Sequence, residues 1–169
     1  LKEAGQYTYS EISSQADALS AAWQQLQRQH DWISRYLANP DYDEIVFIGS
    51  GSSYYQALTM ASTCRAWLGK SASAYPSSEL LLFPKQTAPS HRRYLAVGVS
   101  RSGESTEVVL ALEAVKPLPN WSVAGITCYE DSAMAKLADC LLSPLGKENS
   151  TVMTKSLSSM TFMMQALSP

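Results

Sequence analysis

Histidine, cysteine and charge are all scarce in this chain. The two histidines, His30 and His91, belong to no spaced ligand pattern, so no metal site is expected. The three cysteines, Cys64, Cys128 and Cys140, are odd in number and lie singly in apolar surroundings. Such isolated thiols build no disulfide framework and are expected to be buried and reduced, as in a cytoplasmic protein. Charged residues make up 17% of the chain and the net formal charge is −2, which gives no electrostatic case for nucleic acid or an anionic membrane. No run is long and apolar enough to span a bilayer, and no signal peptide is visible. The chain opens on Leu1 rather than Met, and the expectation is a piece of something longer.

What is there suits a full-sized domain: 169 residues, 46% of them hydrophobic, are enough for a core of their own. Residues 1–10 read as a loose arm. From 10 to 37 the apolar spacing of Ile12, Ala16, Leu19, Trp23, Leu26, Ile33 and Leu37 is helical, with a break expected near 29–31. Pro40 ends that helix. Short apolar runs follow at 44–48, 71–75, 95–99, 121–128 and 140–142, alternating with helical segments at 54–68, 79–83, 104–115, 133–138 and 152–167. Residues 84–93 read as a polar connection. The organisation expected is an N-terminal arm and helix over 1–40 and a domain over 41–169. Continuous apolar strands at βαβ spacing predict an α/β fold: a five-stranded parallel sheet with helices on both faces, a three-layer αβα sandwich.

Two turns stand out. In residues 95–109, LAVGVSRSGESTEVV, a buried strand breaks into Ser100-Arg101-Ser102-Gly103 and feeds a helix. Such a turn aims free backbone N–H groups and the positive end of a helix dipole at one spot, which favours an anion, above all a phosphate. Hydroxyls of Ser100, Ser102 and Ser105 can donate to it, and Arg101 can add full charge. An ordinary helix start, with Ser102 as its cap, explains the same letters. The second turn, Gly49-Ser50-Gly51-Ser52-Ser53, also joins a strand to a helix. It carries Tyr54 where GxGxxG needs its third glycine and has no P-loop lysine, which disfavours dinucleotides and nucleoside triphosphates. Both turns lie at carboxyl ends of strands, where ligands of parallel sheets bind. If their strands are neighbours, the turns and the loop around 148–154 converge.

The motifs Gly49-Ser50-Gly51-Ser52-Ser53, Ser100-Arg101-Ser102-Gly103-Glu104-Ser105 and Glu148-Asn149-Ser150-Thr151-Val152-Met153-Thr154, in this order, resemble the SIS (sugar isomerase) domain family. The resemblance covers nearly the whole chain. It is strongest to the tagatose-6-phosphate ketose/aldose isomerase type, which includes amino-sugar phosphate deaminases, on Ile126-Thr127-Cys128 and Met153-Thr154. Lys155 fits the isomerase half of glucosamine-6-phosphate synthase better.

The resemblance implies a flavodoxin-like fold and a phosphosugar ligand with no cofactor. Ser52 and Ser53, with Ser100, Arg101, Ser102 and Ser105, would hold the phosphate. Ser50 would face the sugar, and the backbone of Thr151, with Glu148 nearby, would line the sugar side. For Glu148 a solvated loop carboxylate is the alternative. Met153, Met160, Met163 and Met164 suit core or subunit packing, with the closing helix at an interface, and Tyr54 and Tyr55 are expected to pack under the first turn.

Aldose–ketose isomerisation needs a base and a ring-opening acid, and in enzymes of this kind both come from a second SIS domain or a neighbouring subunit. No segment here resembles that part. The chain therefore reads as the first, phosphosugar-binding half of a two-domain, homo-oligomeric isomerase or deaminase acting on a hexose or amino-hexose 6-phosphate. A non-catalytic phosphosugar sensor is the alternative, and a flavodoxin-like domain for another phosphate ligand is a third.

Overall fold

A computed structural model describes residues 5–87 and 91–166. The start of the expected arm, part of the 84–93 connection and the expected helix end at 167 lie outside the described residues. In chain order the elements are α1 (Gln6–Ser13), α2 (Gln15–Arg28), α3 (His30–Arg35), β1 (Glu44–Gly49), α4 (Ser52–Leu68), β2 (Ala72–Pro76), α5 (Ser77–Leu82), α6 (Pro84–Thr87), β3 (Tyr94–Val99), α7 (Thr106–Val115), β4 (Trp121–Thr127), α8 (Ala133–Leu137), β5 (Asp139–Leu142), a 3-10 turn (Pro144–Gly146) and α9 (Lys155–Gln165).

The strands form one parallel sheet in the order β2-β1-β3-β4-β5. The unbroken apolar runs of the central strands, residues 45–48 of β1 and 95–99 of β3, follow from burial on both faces. Ile45 and Phe47 of β1, with Leu95, Val97 and Val99 of β3, face a layer built from α2, α3, α4 and α9. Val46, Ile48, Tyr94 and Ala96 face the other way, against α5, α7 and α8. The result is the αβα sandwich expected. Met160, Met163 and Met164 of α9 are fully buried in the first layer. They are core residues of this chain.

Three local readings change. Residues 6–10 are helical rather than loose. The N-terminal helix breaks twice, at Ser14 and at Gln29. Ser13 Oγ donates to the Tyr9 carbonyl at 2.9 Å and Ser14 Oγ to the Glu11 carbonyl at 3.2 Å, bonds that compete with the helical ladder. At Gln29 the side chain is docked on the edge strand: it donates to the Leu142 carbonyl at 3.0 Å and accepts from the Leu142 N–H at 2.9 Å. The amide thus stands in for a further strand and covers the open edge of β5. Finally, residues 84–87 of the connection form the short α6.

Candidate functional site

The strand order reverses at β1, with β2 on one side and β3 on the other. Both Ser/Gly turns leave the sheet there, and both feed a helix. The tightness of the first depends on Gly49: a Cβ at this position would lie 2.5 Å from the Ser53 backbone. Ser52 then opens α4 exposed, whereas Ser53 is buried, its Oγ 3.9 Å from Met153 Sδ. The Ser50 hydroxyl points to the β2 side and bonds Ser77 Oγ at 2.6 Å. Ser77 is the first residue of α5, which starts without a side-chain cap. Ser50, Tyr54, Ser77, Ser78 and Glu107 line a cleft of about 330 Å³ here. Tyr55 also borders it and is 69% exposed, so it does not pack under the turn.

In the second turn the serines divide their work. Ser100 is buried; its Oγ accepts from the Gly103 N–H at 3.1 Å and lies 2.9 Å from Ser105 Oγ. Ser102 and Ser105 remain partly accessible. Ser102 Oγ accepts from the Glu104 N–H at 3.2 Å, a local turn bond, and Ser105, not Ser102, occupies the cap position of α7. Gly103 takes φ +66° and lies against Ser132, which leaves no room for a side chain. Ser132 itself caps α8, accepting from the Ala135 N–H at 3.3 Å. Neither α4 nor α7 has a side-chain cap at its N-terminus.

Arg101 does not lie loose over the turn. Its carbonyl accepts from Thr127 Oγ1 and from the Cys128 N–H, both at 3.1 Å. Its Nη1 donates to the carbonyls of Ser150 at 3.1 Å and Thr151 at 3.4 Å, and lies 3.4 Å from Glu148 Oε2. β1 and β3 are neighbours, and the third motif is brought to the second.

Glu148 is not solvated: its side chain has no exposure. One carboxylate oxygen accepts from the Thr154 N–H at 2.7 Å, Thr154 Oγ1 at 2.6 Å and the Ser156 N–H at 3.3 Å, and the other accepts from Ser156 Oγ. Burial pushes its carboxyl upward, but the bonds from the Ser156 and Thr154 side chains and backbone outweigh this and leave it below the usual carboxylate range. This carboxylate fastens the start of α9, and so α9 begins at Lys155 rather than at 152.

A second buried acid was missed by sequence reasoning. Glu11 of α1 accepts from the N–H groups of Asn149 at 2.6 Å and Ser150 at 3.1 Å, and from Ser150 Oγ. Burial raises its carboxyl, the bonds from Ser150 and Asn149 lower it, and the nearby Glu148 raises it again; the net direction is down. Only the helical spacing around Ile12 hinted that this residue sits on a helix. Among the described residues, no three His, Cys, Asp or Glu side chains gather to share a metal ion, and no helix is long and apolar enough to cross a membrane.

The sheet order and the paired turns define a doubly wound α/β domain with its candidate site at the switch point. The SIS domain model matches residues 40–168, and the chain belongs to that family. It is 28% identical over 154 residues to the isomerizing glutamine–fructose-6-phosphate aminotransferase of Chlamydia caviae, covering 88% of this chain and 25% of that protein. Its structure is similar to tagatose-6-phosphate ketose/aldose isomerase from Escherichia coli, with a TM-score of 0.83 at 25% identity over 93% of this chain and 45% of that one. It is also similar to glucosamine-6-phosphate deaminase from Thermotoga maritima, with a TM-score of 0.63 at 33% identity over 89% of this chain and 48% of the other. The chain thus spans from a quarter to about half the length of these relatives.

Proposed function

We propose that this chain is the phosphosugar-binding half of an aldose–ketose isomerase or deaminase acting on a hexose or amino-hexose 6-phosphate. The observation that carries the reading is the pair of uncapped helix N-termini, α4 and α7, at the switch point of the sheet. At α4 the Ser53 and Tyr54 N–H groups reach only the turn carbonyls of Ser50 and Gly51, at 3.1 and 3.0 Å, and a phosphate dianion offers several stronger acceptors at once. Ser52, Ser53, Ser102 and Ser105 supply hydroxyls for the phosphate, while Ser100 shapes the turn and Arg101 adds charge. The names of the three relatives described above concern hexose 6-phosphates, which supports the ligand class.

The sugar then extends toward Ser50 on one side and the backbone of Thr151 on the other. Glu148 would contribute as the support of that wall. A carboxylate with saturated oxygens and a lowered pKa is a poor proton acceptor, which favours a base supplied from elsewhere, by a second SIS domain or a neighbouring subunit. The test is a titration of the intact protein with fructose 6-phosphate, tagatose 6-phosphate and galactosamine 6-phosphate, beside the free sugars. Loss of the phosphate should weaken binding by about a hundredfold or more, given several charge-assisted bonds. Equal affinity for free and phosphorylated sugars would dismiss the reading.

A further inference from the structure

Helix α1 is fastened by an acid rather than by apolar burial. Tyr9 is 76% exposed and Ile12 52%, while Glu11, 6% exposed, is the buried residue of the helix. A surface helix ordinarily turns its apolar side inward. Here the inward group is a carboxylate, and its bonds all go to one short loop: the N–H groups of Asn149 and Ser150 and the Ser150 hydroxyl. That loop has no regular structure of its own, so its backbone donors depend on such a partner. The opposite edge of the same loop, the carbonyls of Ser150 and Thr151, receives Arg101 Nη1.

We propose that Glu11 is a positioning residue for the candidate phosphosugar pocket: from α1 it fixes the backbone of residues 149–151, and through those carbonyls it sets the direction of the Arg101 guanidinium. The proposal rests on the reading of this site as a phosphosugar pocket. Glu11 touches no part of the pocket itself and acts only through the loop. Two successive N–H groups converge on one of its oxygens, a charge-assisted arrangement that holds a backbone segment more firmly than neutral bonds do.

The hydrogen-bond pattern also says which substitution should be tolerated. Ser150 Oγ is within bonding distance of both the Glu11 carboxylate and the Val152 carbonyl, the latter at 2.8 Å, yet it has one proton to give. In a Glu11→Gln variant the amide oxygen keeps both backbone N–H groups. The amide nitrogen donates to Ser150 Oγ, whose proton is then free for Val152. Glu11→Ala removes all three bonds.

The test measures fructose 6-phosphate affinity and the amide hydrogen exchange of Asn149 and Ser150 in the intact protein. Glu11→Ala should weaken binding about tenfold and speed exchange at both amides by about tenfold or more. Glu11→Gln should stay within about threefold of wild type on both measures. In an Arg101→Ala background, Glu11→Ala should cost no more than about twofold further, because the two residues act along one chain of contacts. Equal losses for the alanine and glutamine variants, or full additivity with Arg101→Ala, would reduce Glu11 to a general stabiliser and overturn the proposal. Unchanged exchange in Glu11→Ala would overturn it as well. If the wild-type protein binds no fructose 6-phosphate, the reading of the pocket fails and exchange alone decides. Fast exchange in the alanine variant and slow exchange in the glutamine variant then sustain the positioning of the loop.

Discussion

Gly49 and Val99 stand opposite each other at the ends of β1 and β3. Because the strands are parallel and end level, Ser50 to Ser53 and Ser100 to Ser105 leave the sheet at the same height. Helices α4 and α7 then pack on opposite faces of the sheet, α4 in the first layer and α7 in the second. Their N-termini are thereby aimed at the same end of the sheet from both sides, an arrangement that favours an anion there.

Replacing Ser102 by Ala should lower affinity for a hexose 6-phosphate about tenfold, the worth of one hydroxyl bond to an anion. Without ligand the melting temperature should hardly move, since Ser102 Oγ takes part only in an accessible turn bond with the Glu104 N–H. Titration calorimetry beside a thermal melt checks both halves. Unchanged affinity would return Ser102 to a purely local role.

Ser100→Ala should behave in the opposite way. Its buried hydroxyl accepts from the Gly103 N–H, and removing it leaves that donor without Ser100, at a cost of about 1–3 kcal/mol. For a chain of this size each kcal/mol lowers the melting temperature by about 2–4 °C. A ligand-free melt unchanged from wild type would contradict the assignment.

Gly103→Ala should be the most damaging change in the turn. The residue has φ +66°, and an added Cβ would collide with Ser132, the cap of α8. Backbone strain and overpacking together cost at least about 2 kcal/mol. A lowered urea midpoint is expected, and a variant as stable as wild type would show that the α8 cap can shift without penalty.

Acid should loosen the fold through Glu11 and Glu148. Both carboxyls are lower in the folded protein than their ordinary value of 4.5, so the unfolded chain takes up protons first as pH falls. The stability they add is complete above that value and is lost below it, as pH drops through the folded values. Urea unfolding at a series of pH values should therefore show little change from neutrality to about 5 and a decline beneath it. The decline should be shallower in Glu148→Gln. Stability that rises on acidification would refute the assignment.

The thiols should be inert. Burial pushes Cys64 up to about 11 and Cys128 and Cys140 up to about 12, which leaves almost no thiolate at pH 8. A thiol reagent is expected to label none of them in the folded protein and all three in urea. Rapid labelling of the native protein would mean that one of these sites opens.

The amino-acid sequence by itself determined the layers and the turns. Runs such as Ile45 to Ile48 are apolar at every position because both faces of a central parallel strand are buried, and that pattern is local and readable. The Ser/Gly turns were legible for the same reason, as was the break at Gln29. Tertiary structure alone decided what each polar side chain does. Glu11 meets Asn149 across 138 residues of chain, and Ser50 meets Ser77 across 27. No periodicity or spacing encodes such partners, because they exist only once the strand order brings distant segments together. Glu148 carries the same lesson in its burial: six residues from Thr154, it could have been solvated, and it is the start of α9, through Thr154 and Ser156, with Arg101 from the second turn, that takes up its carboxylate. Arg101 adds charge to the site in either description, but only the packed loop gives that charge a direction.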